Sequence, residues 1–85
     1  MKIEASELKQ ARDRLVRVQG QIGGIVKMID EGRDCTDILN QLAAANTALT
    51  RAGFTILTTG MEACAKEPSD SINRKALEKA FMSLA

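Results

Sequence analysis

The sequence predicts an all-α chain of three helices that pairs with a second copy as an antiparallel four-helix bundle. Two long segments repeat their apolar residues at spacings of three and four, the period of a helix face rather than the alternation of a strand. Gly32 and the single proline, Pro68, punctuate those segments. The third observation is size: 85 residues bury only about 60% of their unfolded surface, so a partner is the natural source of missing core.

The first helix is expected from Leu8, with Ser6 or Glu4 near its start. Its seam is Leu8, Ala11, Leu15, Val18, Ile22, Ile25 and Ile29, and Gly32 supplies the stop. Gly20, Gly23 and Gly24 interrupt it, each less helical than Ala by about 1 kcal/mol, and are expected to admit close approach by a neighbouring backbone. Asp34 then stands as an N-cap with Asp37 in the following turn. A second stripe of Cys35, Ile38, Leu42, Ala45, Leu49, Ala52 and Ile56 predicts a helix from about Cys35 to Ala65, roughly 45 Å long. Its alanines (Ala43, Ala44, Ala45, Ala48, Ala52) suit tight helix–helix contact. The run Glu67-Pro68-Ser69-Asp70 breaks that helix, and Ser71 caps a short third one with Ile72, Ala76, Ala80, Phe81 and Leu84 expected inward. Four-helix packing between two chains covers both faces of the long pair.

Residues 1–85 read as a single domain. The chain is 45% hydrophobic and 27% charged, a globular balance, and its net charge of +1 excludes a uniformly basic coat. With no Trp, no Tyr and only Phe54 and Phe81, it lacks the aromatic platforms that bind single-stranded nucleic acid. The absence of His removes Ser-His-Asp and Cys-His catalysis and the commonest metal ligand. Two cysteines make no secreted disulfide scaffold. Charges fill the N-terminal stretch MKIEASELKQARDR, and no run approaches the ~18 apolar residues of a membrane span. A cytoplasmic protein without a membrane partner or cofactor is expected. A small thiol oxidoreductase is the enzyme alternative, but there is no Cys-x-x-Cys, no His and no βαβ pattern; a purely structural helical dimer is the other.

Cys35 and Cys64 are 29 positions apart, which at about 100° per residue returns both to one stripe of the helix. Along the axis they are separated by about 43 Å, far beyond the ~7 Å between Cα atoms that a disulfide allows. An antiparallel two-fold pair instead brings Cys35 of one chain beside Cys64 of the other, twice per dimer. At the start of a helix the dipole and unpaired amides favour thiolate at Cys35, whereas Cys64 lies in a last turn, so the pair reads as one attacking and one resolving thiol. A cysteine is equally often a small buried apolar residue, and spacing alone leaves that alternative standing.

Lys9, Arg12, Arg14 and Arg17 against Asp13 give residues 9–17 a local charge of +3. Gln10, Arg14, Arg17 and Gln21 fall on one polar stripe beside the apolar seam. Arg suits phosphate contacts and Gln suits base edges or backbone, although most charged helix faces are only solvated.

The run Arg14-Leu15-Val16-Arg17-Val18-Gln19-Gly20-Gln21, then Gly24-Ile25-Val26-Lys27-Met28-Ile29, then Cys35 with Asp37-Ile38-Leu39-Asn40-Gln41-Leu42, resembles the CsoR/RcnR/FrmR superfamily of bacterial transcriptional repressors. The resemblance spans about Leu8 to Lys66. It implies an antiparallel four-helix dimer, a disc-shaped homotetramer, and operator double-stranded DNA as partner, bound without a helix-turn-helix and released when an inducer acts on the intersubunit site. The family's DNA-contact positions match Arg14 and Arg17 on the first helix and Arg51 on the second, and Gln21 continues that stripe. A tetramer would multiply the patch and supply the affinity of counterion release.

The family's copper sensors use one Cys, then His and Cys four residues apart on the partner chain. The matching positions are Cys35, Gly60 and Cys64, so the His position carries no ligand, and the position often Tyr is Asp34. Nickel and cobalt sensors lean on several His, and formaldehyde sensors on an N-terminal Pro where this chain has Lys2. Two Cys without His resembles the persulfide-sensing CstR branch, which implies a persulfide or polysulfide inducer, no metal, and control of sulfide-detoxification genes. The alternative is Cu(I) held by Cys35 and Cys64 alone, since two thiolates suffice for a linear soft-metal site. In copper sensors an acidic residue of the third helix couples site to DNA; the matching place lies near Ala80, with Glu78 close by.

Overall fold

The structure, a computed structural model, describes residues 2–66 and 71–84. A 3-10 turn, Ala5–Leu8, leads into α1 (Lys9–Asp30), followed by α2 (Cys35–Ala65) and α3 (Ser71–Leu84). The chain is all-α, as its periodicity predicts. The turn before Lys9 takes residues that the sequence assigns to the first helix or its cap: Glu4 accepts from the backbone N–H of Glu7 at 3.0 Å, so Leu8 precedes α1 rather than starting it.

Gly32 ends α1 because, alone among the described residues, it takes a left-handed φ, +68°. Its N–H donates to the carbonyl of Ile29 at 3.1 Å, and that of Arg33 donates to Met28 at 2.9 Å, which together form a Schellman cap. Asp34 occupies the N-cap of α2 in extended conformation; its carbonyl accepts from Ile38, while its carboxylate makes no capping bond. The threonines of α2 fit a helix by returning their hydroxyl protons to it. Thr50, Thr55, Thr58 and Thr59 each donate to the carbonyl four residues back at 2.9–3.0 Å.

α1 and α2 lie side by side along a narrow seam. Ala11, Val18 and Ile25 repeat every seven residues on α1 and are buried, as are Ala45 and Ala52 on α2. Of the five alanines expected at tight contact on α2, Ala45 and Ala52 are enclosed and Ala48 is half-buried, whereas Ala43 and Ala44 are exposed because they stand on the side away from α1. The rest of the apolar stripe is left open: Ile22, Ile29, Leu42 and Leu49 are each about half exposed, joined by Val26 and Leu39. All but Leu49, which is at the middle of α2, belong to the half of the hairpin nearest the Gly32 turn. The shape agrees, since the radius of gyration is 16.4 Å where a compact chain of this length has about 12 Å. The accessible surface is 6522 Å², against about 4900 Å² for a folded monomer of this mass.

α3 covers the other half of the stripe. Leu77 packs on Gly60 and Leu84 on Gly53, two leucines seven residues apart meeting two glycines seven residues apart in antiparallel order. Phe54 and Phe81 lie across the same contact with centroids 5.6 Å apart. This register corrects the sequence expectation: Ala76 and Ala80 are exposed, because large side chains, not alanines, fill the glycine notches of α2. The glycines of α1 also differ from expectation. A β-carbon at Gly20, Gly23 or Gly24 would meet nothing within 4 Å, so no neighbour within the chain requires them. The Glu67-Pro68-Ser69-Asp70 break lies outside the described residues, as do the side chains of Ser71 and Ile72. Among the described residues no helix is long and apolar enough to cross a membrane.

Candidate functional site

On α1 the residues flanking the buried seam are sorted by side. Leu15 and Ile22 stand to one side of Val18; Arg14, Arg17 and Gln21 stand to the other, as helical rotation of about 100° per residue dictates. Where that polar side meets α2, a cleft of about 480 Å³ opens between the helices. Gln10, Arg14, Arg17 and Gln21 line it from α1, and Ala48 and Arg51 from α2. The four residues singled out from the sequence, Arg14, Arg17, Gln21 and Arg51, thus share one groove. Ala48 keeps its floor low, one helical turn before Arg51.

Asp13 also borders this cleft, and its effect could not be read from a charge count. Lys9 Nζ donates to Asp13 Oδ2 at 2.9 Å and Arg12 lies 3.5 Å from Oδ1. The hydrogen bond from Lys9 holds the Asp13 carboxyl below its ordinary range and lifts the Lys9 ammonium above its own. Two of the four cations counted in residues 9–17 are therefore matched to Asp13. Ion pairs among the described residues engage Lys9, Arg12 and Lys27, and none engages Arg14, Arg17 or Arg51. The cleft arginines keep their donors for an outside acceptor such as phosphate.

The thiols are at the two ends of α2. Cys35 is its first residue and exposed, whereas Cys64, next to last, is only 4% exposed. One continuous helix carries both, and 29 residues at about 1.5 Å each separate them by about 43 Å along its axis. Gly60 lies one turn before Cys64 on α2 and is itself buried. A β-carbon there would stand 3.1 Å from Leu77 Cδ2 and 3.8 Å from Ile3 Cδ1. The place is filled by hydrocarbon from two other segments. Among the described residues no three His, Cys, Asp or Glu side chains gather in a group that could hold a metal ion. Near Leu77, Ala80 faces solvent and Glu78 borders an apolar groove with Leu57, Met61, Arg74, Phe81 and Met82.

Sequence reasoning missed Asp13 as the partner that silences Lys9 and Arg12, though its i, i+4 spacing from Lys9 was a signal. It also missed Leu77 and the seat that Leu84 takes; the matched seven-residue spacing of Gly53 with Gly60 and of Leu77 with Leu84 could have found them.

Comparison with known proteins follows the same lines. Residues 7–84 match a family described as "Metal-sensitive transcriptional repressor". The copper-sensing transcriptional repressor RicR of Mycobacterium tuberculosis is 39% identical over 51 residues, covering 60% of this chain and 53% of that protein. The copper-sensing transcriptional repressor CsoR of Bacillus subtilis is 33% identical over 60 residues, 71% of this chain and 59% of that one. The chain thus spans between half and two thirds of the length of these relatives. A solved structure, the nickel-responsive transcriptional regulator InrS, superposes with a TM-score of 0.76 at 30% identity, covering 100% of this chain and 98% of that one. Family, relatives and fold converge: the chain belongs to the CsoR/RcnR family of metal-sensitive transcriptional repressors.

Proposed function

We propose that this protein is a cytoplasmic, DNA-binding repressor, assembled as a homodimer and homotetramer, that senses persulfide or polysulfide through Cys35 and the partner's Cys64 and then releases its operator. Membership of a repressor family already disposes of the thiol oxidoreductase considered from the sequence. The cleft supports the DNA reading: three arginines outside those ion pairs, together with Gln21, present donors from two helices on one groove, and each further copy repeats them. The open apolar half of the hairpin supports assembly. The surface in excess of a folded monomer, about 1600 Å² per chain, is roughly twice the ~800 Å² that each partner of a standard interface covers.

The observation that carries the inducer reading is Gly60. The family's copper-sensing relatives are metal sensors by name, but here the third-donor position has no side chain and its space belongs to Leu77 and Ile3. Two thiols remain, and thiol pairs do sulfur chemistry. The Cys35 thiolate attacks the outer sulfur of R–S–SH; the S–S bond breaks and R–SH leaves, so Cys35 becomes a persulfide. The partner's Cys64 thiolate then attacks the Cys35 sulfur, hydrosulfide leaves, and an intersubunit disulfide remains. Overall the two thiols are oxidised and the persulfide is reduced to a thiol and hydrogen sulfide. A longer polysulfide leaves extra sulfur in the bridge. The cross-link favours an assembly in which the arginine grooves no longer match a duplex, an allosteric release because thiols and arginines occupy different parts of the hairpin.

The test uses reduced protein on a duplex that the protein itself selects from random sequence. Inorganic tetrasulfide should lower affinity and yield a covalent dimer in intact, non-reducing mass spectra, whose mass counts the bridging sulfurs. Cu(I) is the second reading, favoured by the relatives' names and by the softness of two thiolates. Release by Cu(I) with no response to tetrasulfide would select it instead.

A further inference from the structure

We infer that α3 is a latch over Cys64: Leu77 seated in the Gly60 notch closes the end of α2, and undocking of α3 decides when the buried thiol can react. This rests, for its use, on the two-thiol reading proposed above, but its geometry does not. Cys64 is 4% exposed although it is the penultimate residue of a helix in an open, elongated chain. Cys64 follows Gly53 by eleven residues and Gly60 by four, which at about 100° per residue puts it on their stripe of α2, the one that meets Leu84 and Leu77, and away from the stripe of Ala45 and Ala52. On the turn before Cys64, Leu77 of α3 and Ile3 of the N-terminal segment both lie within van der Waals reach of a β-carbon at Gly60.

The contact is built to come apart. Among the described contacts of α3 are two leucines in two notches and one ring pair, Phe54 with Phe81, and its other side chains from Arg74 to Leu84 are exposed. An element with so little buried surface opens locally at a small fraction of the cost of global unfolding. The exposed Cys35 needs no such opening. The latch therefore orders the chemistry: the outer thiol meets inducer first, and the inner thiol waits for α3 to lift. In the other direction, a bulky sulfur chain on Cys64 would hold α3 away from Gly60.

The experiment follows the rate at which N-ethylmaleimide adds to Cys64 in the full-length native protein, resolved by peptide mass spectrometry. Leu77→Ala empties the notch. Gly53→Ala sets a β-carbon 2.9 Å from Leu84 Cδ2 at the far end of the same helix, eleven residues from Cys64, and loosens α3 while making α2 a better helix. Leu77→Ala should speed the Cys64 reaction by at least about tenfold, and Gly53→Ala by a smaller factor because the exposed tip of Leu84 can turn aside, since labelling follows the population of the open form. Helical content and assembly, followed by circular dichroism and sedimentation, should be unchanged, and Ala80→Ser, on the exposed side of α3, should leave the rate alone. Wild-type rates at Cys64 in both Leu77→Ala and Gly53→Ala would overturn the latch. So would acceleration that appears only in step with loss of assembly. Neither result depends on any sulfur donor, so the latch and the sensing reading fail separately.

Discussion

Leu77 and Gly60 fit so closely that a β-carbon on residue 60 would stand 3.1 Å from Leu77 Cδ2. That contact ties the third helix to the turn just before Cys64, and on the proposed reading it fills the position from which a third metal donor would reach. Cu(I) therefore finds at most two thiolates. Operator affinity should change less than about threefold with one Cu(I) per thiol pair, and by more than about tenfold with tetrasulfide, measured by fluorescence anisotropy.

The proposed cross-link needs both thiols, one from each of two chains. Cys35→Ser and Cys64→Ser should each abolish the covalent dimer and leave the protein on DNA after tetrasulfide. Mixing the two single variants, so that hybrid dimers form, should restore one link per dimer. Non-reducing gels read the result, and a cross-link within one chain would contradict the helix that separates the sulfurs.

The cleft arginines should be read out by salt. Arg14→Ala or Arg51→Ala should weaken operator binding and lower the slope of log affinity against log salt by about one for each phosphate no longer neutralised, with the helical spectrum intact. Unchanged affinity at moderate salt would remove these residues from the interface.

Asp13 should act in the opposite direction. Its carboxyl is held low by the hydrogen bond from Lys9, so it stays charged through neutral pH and loses that partner's effect only as pH falls into the acid carboxylate range. Asp13→Asn should release Lys9 and Arg12 and strengthen DNA binding at low salt, with a steeper salt slope. Because the pair is exposed, thermal stability should barely move.

Ala52 is fully enclosed between the long helices. Ala52→Leu should cost about 1–3 kcal/mol in unfolding free energy through overpacking. Leu49→Glu, half exposed in one chain, should instead weaken assembly, so at equal protein concentration its melting temperature should fall below the parent's, and sedimentation should show dissociation at higher concentration.

Much of this molecule is readable from its residues because the reading is local. The Gly32 stop, the start of α2 at Cys35 and the seven-residue seam of Ala11, Val18 and Ile25 follow from backbone preferences and helical period. The polar stripe of Arg14, Arg17 and Gln21 is set by the same arithmetic. What periodicity omits is which neighbour covers a face. Ile22, Ile29, Leu42 and Leu49 belong to the stripe yet stay open in one chain, and Ala76 and Ala80 face water although their spacing matches an inward face.

The amino-acid order by itself determined three helices, their approximate limits and the seam along which the two long ones meet, since these depend on interactions within a few residues. Only the tertiary structure decided that Arg51 joins Arg14 and Arg17 in one groove, that Asp13 takes up Lys9 and Arg12, and that Leu77 closes the notch at Gly60 beside a buried Cys64. Those are relations between distant segments or between competing partners, chosen by the fit of side-chain volume and charge in space, which no single helix period encodes.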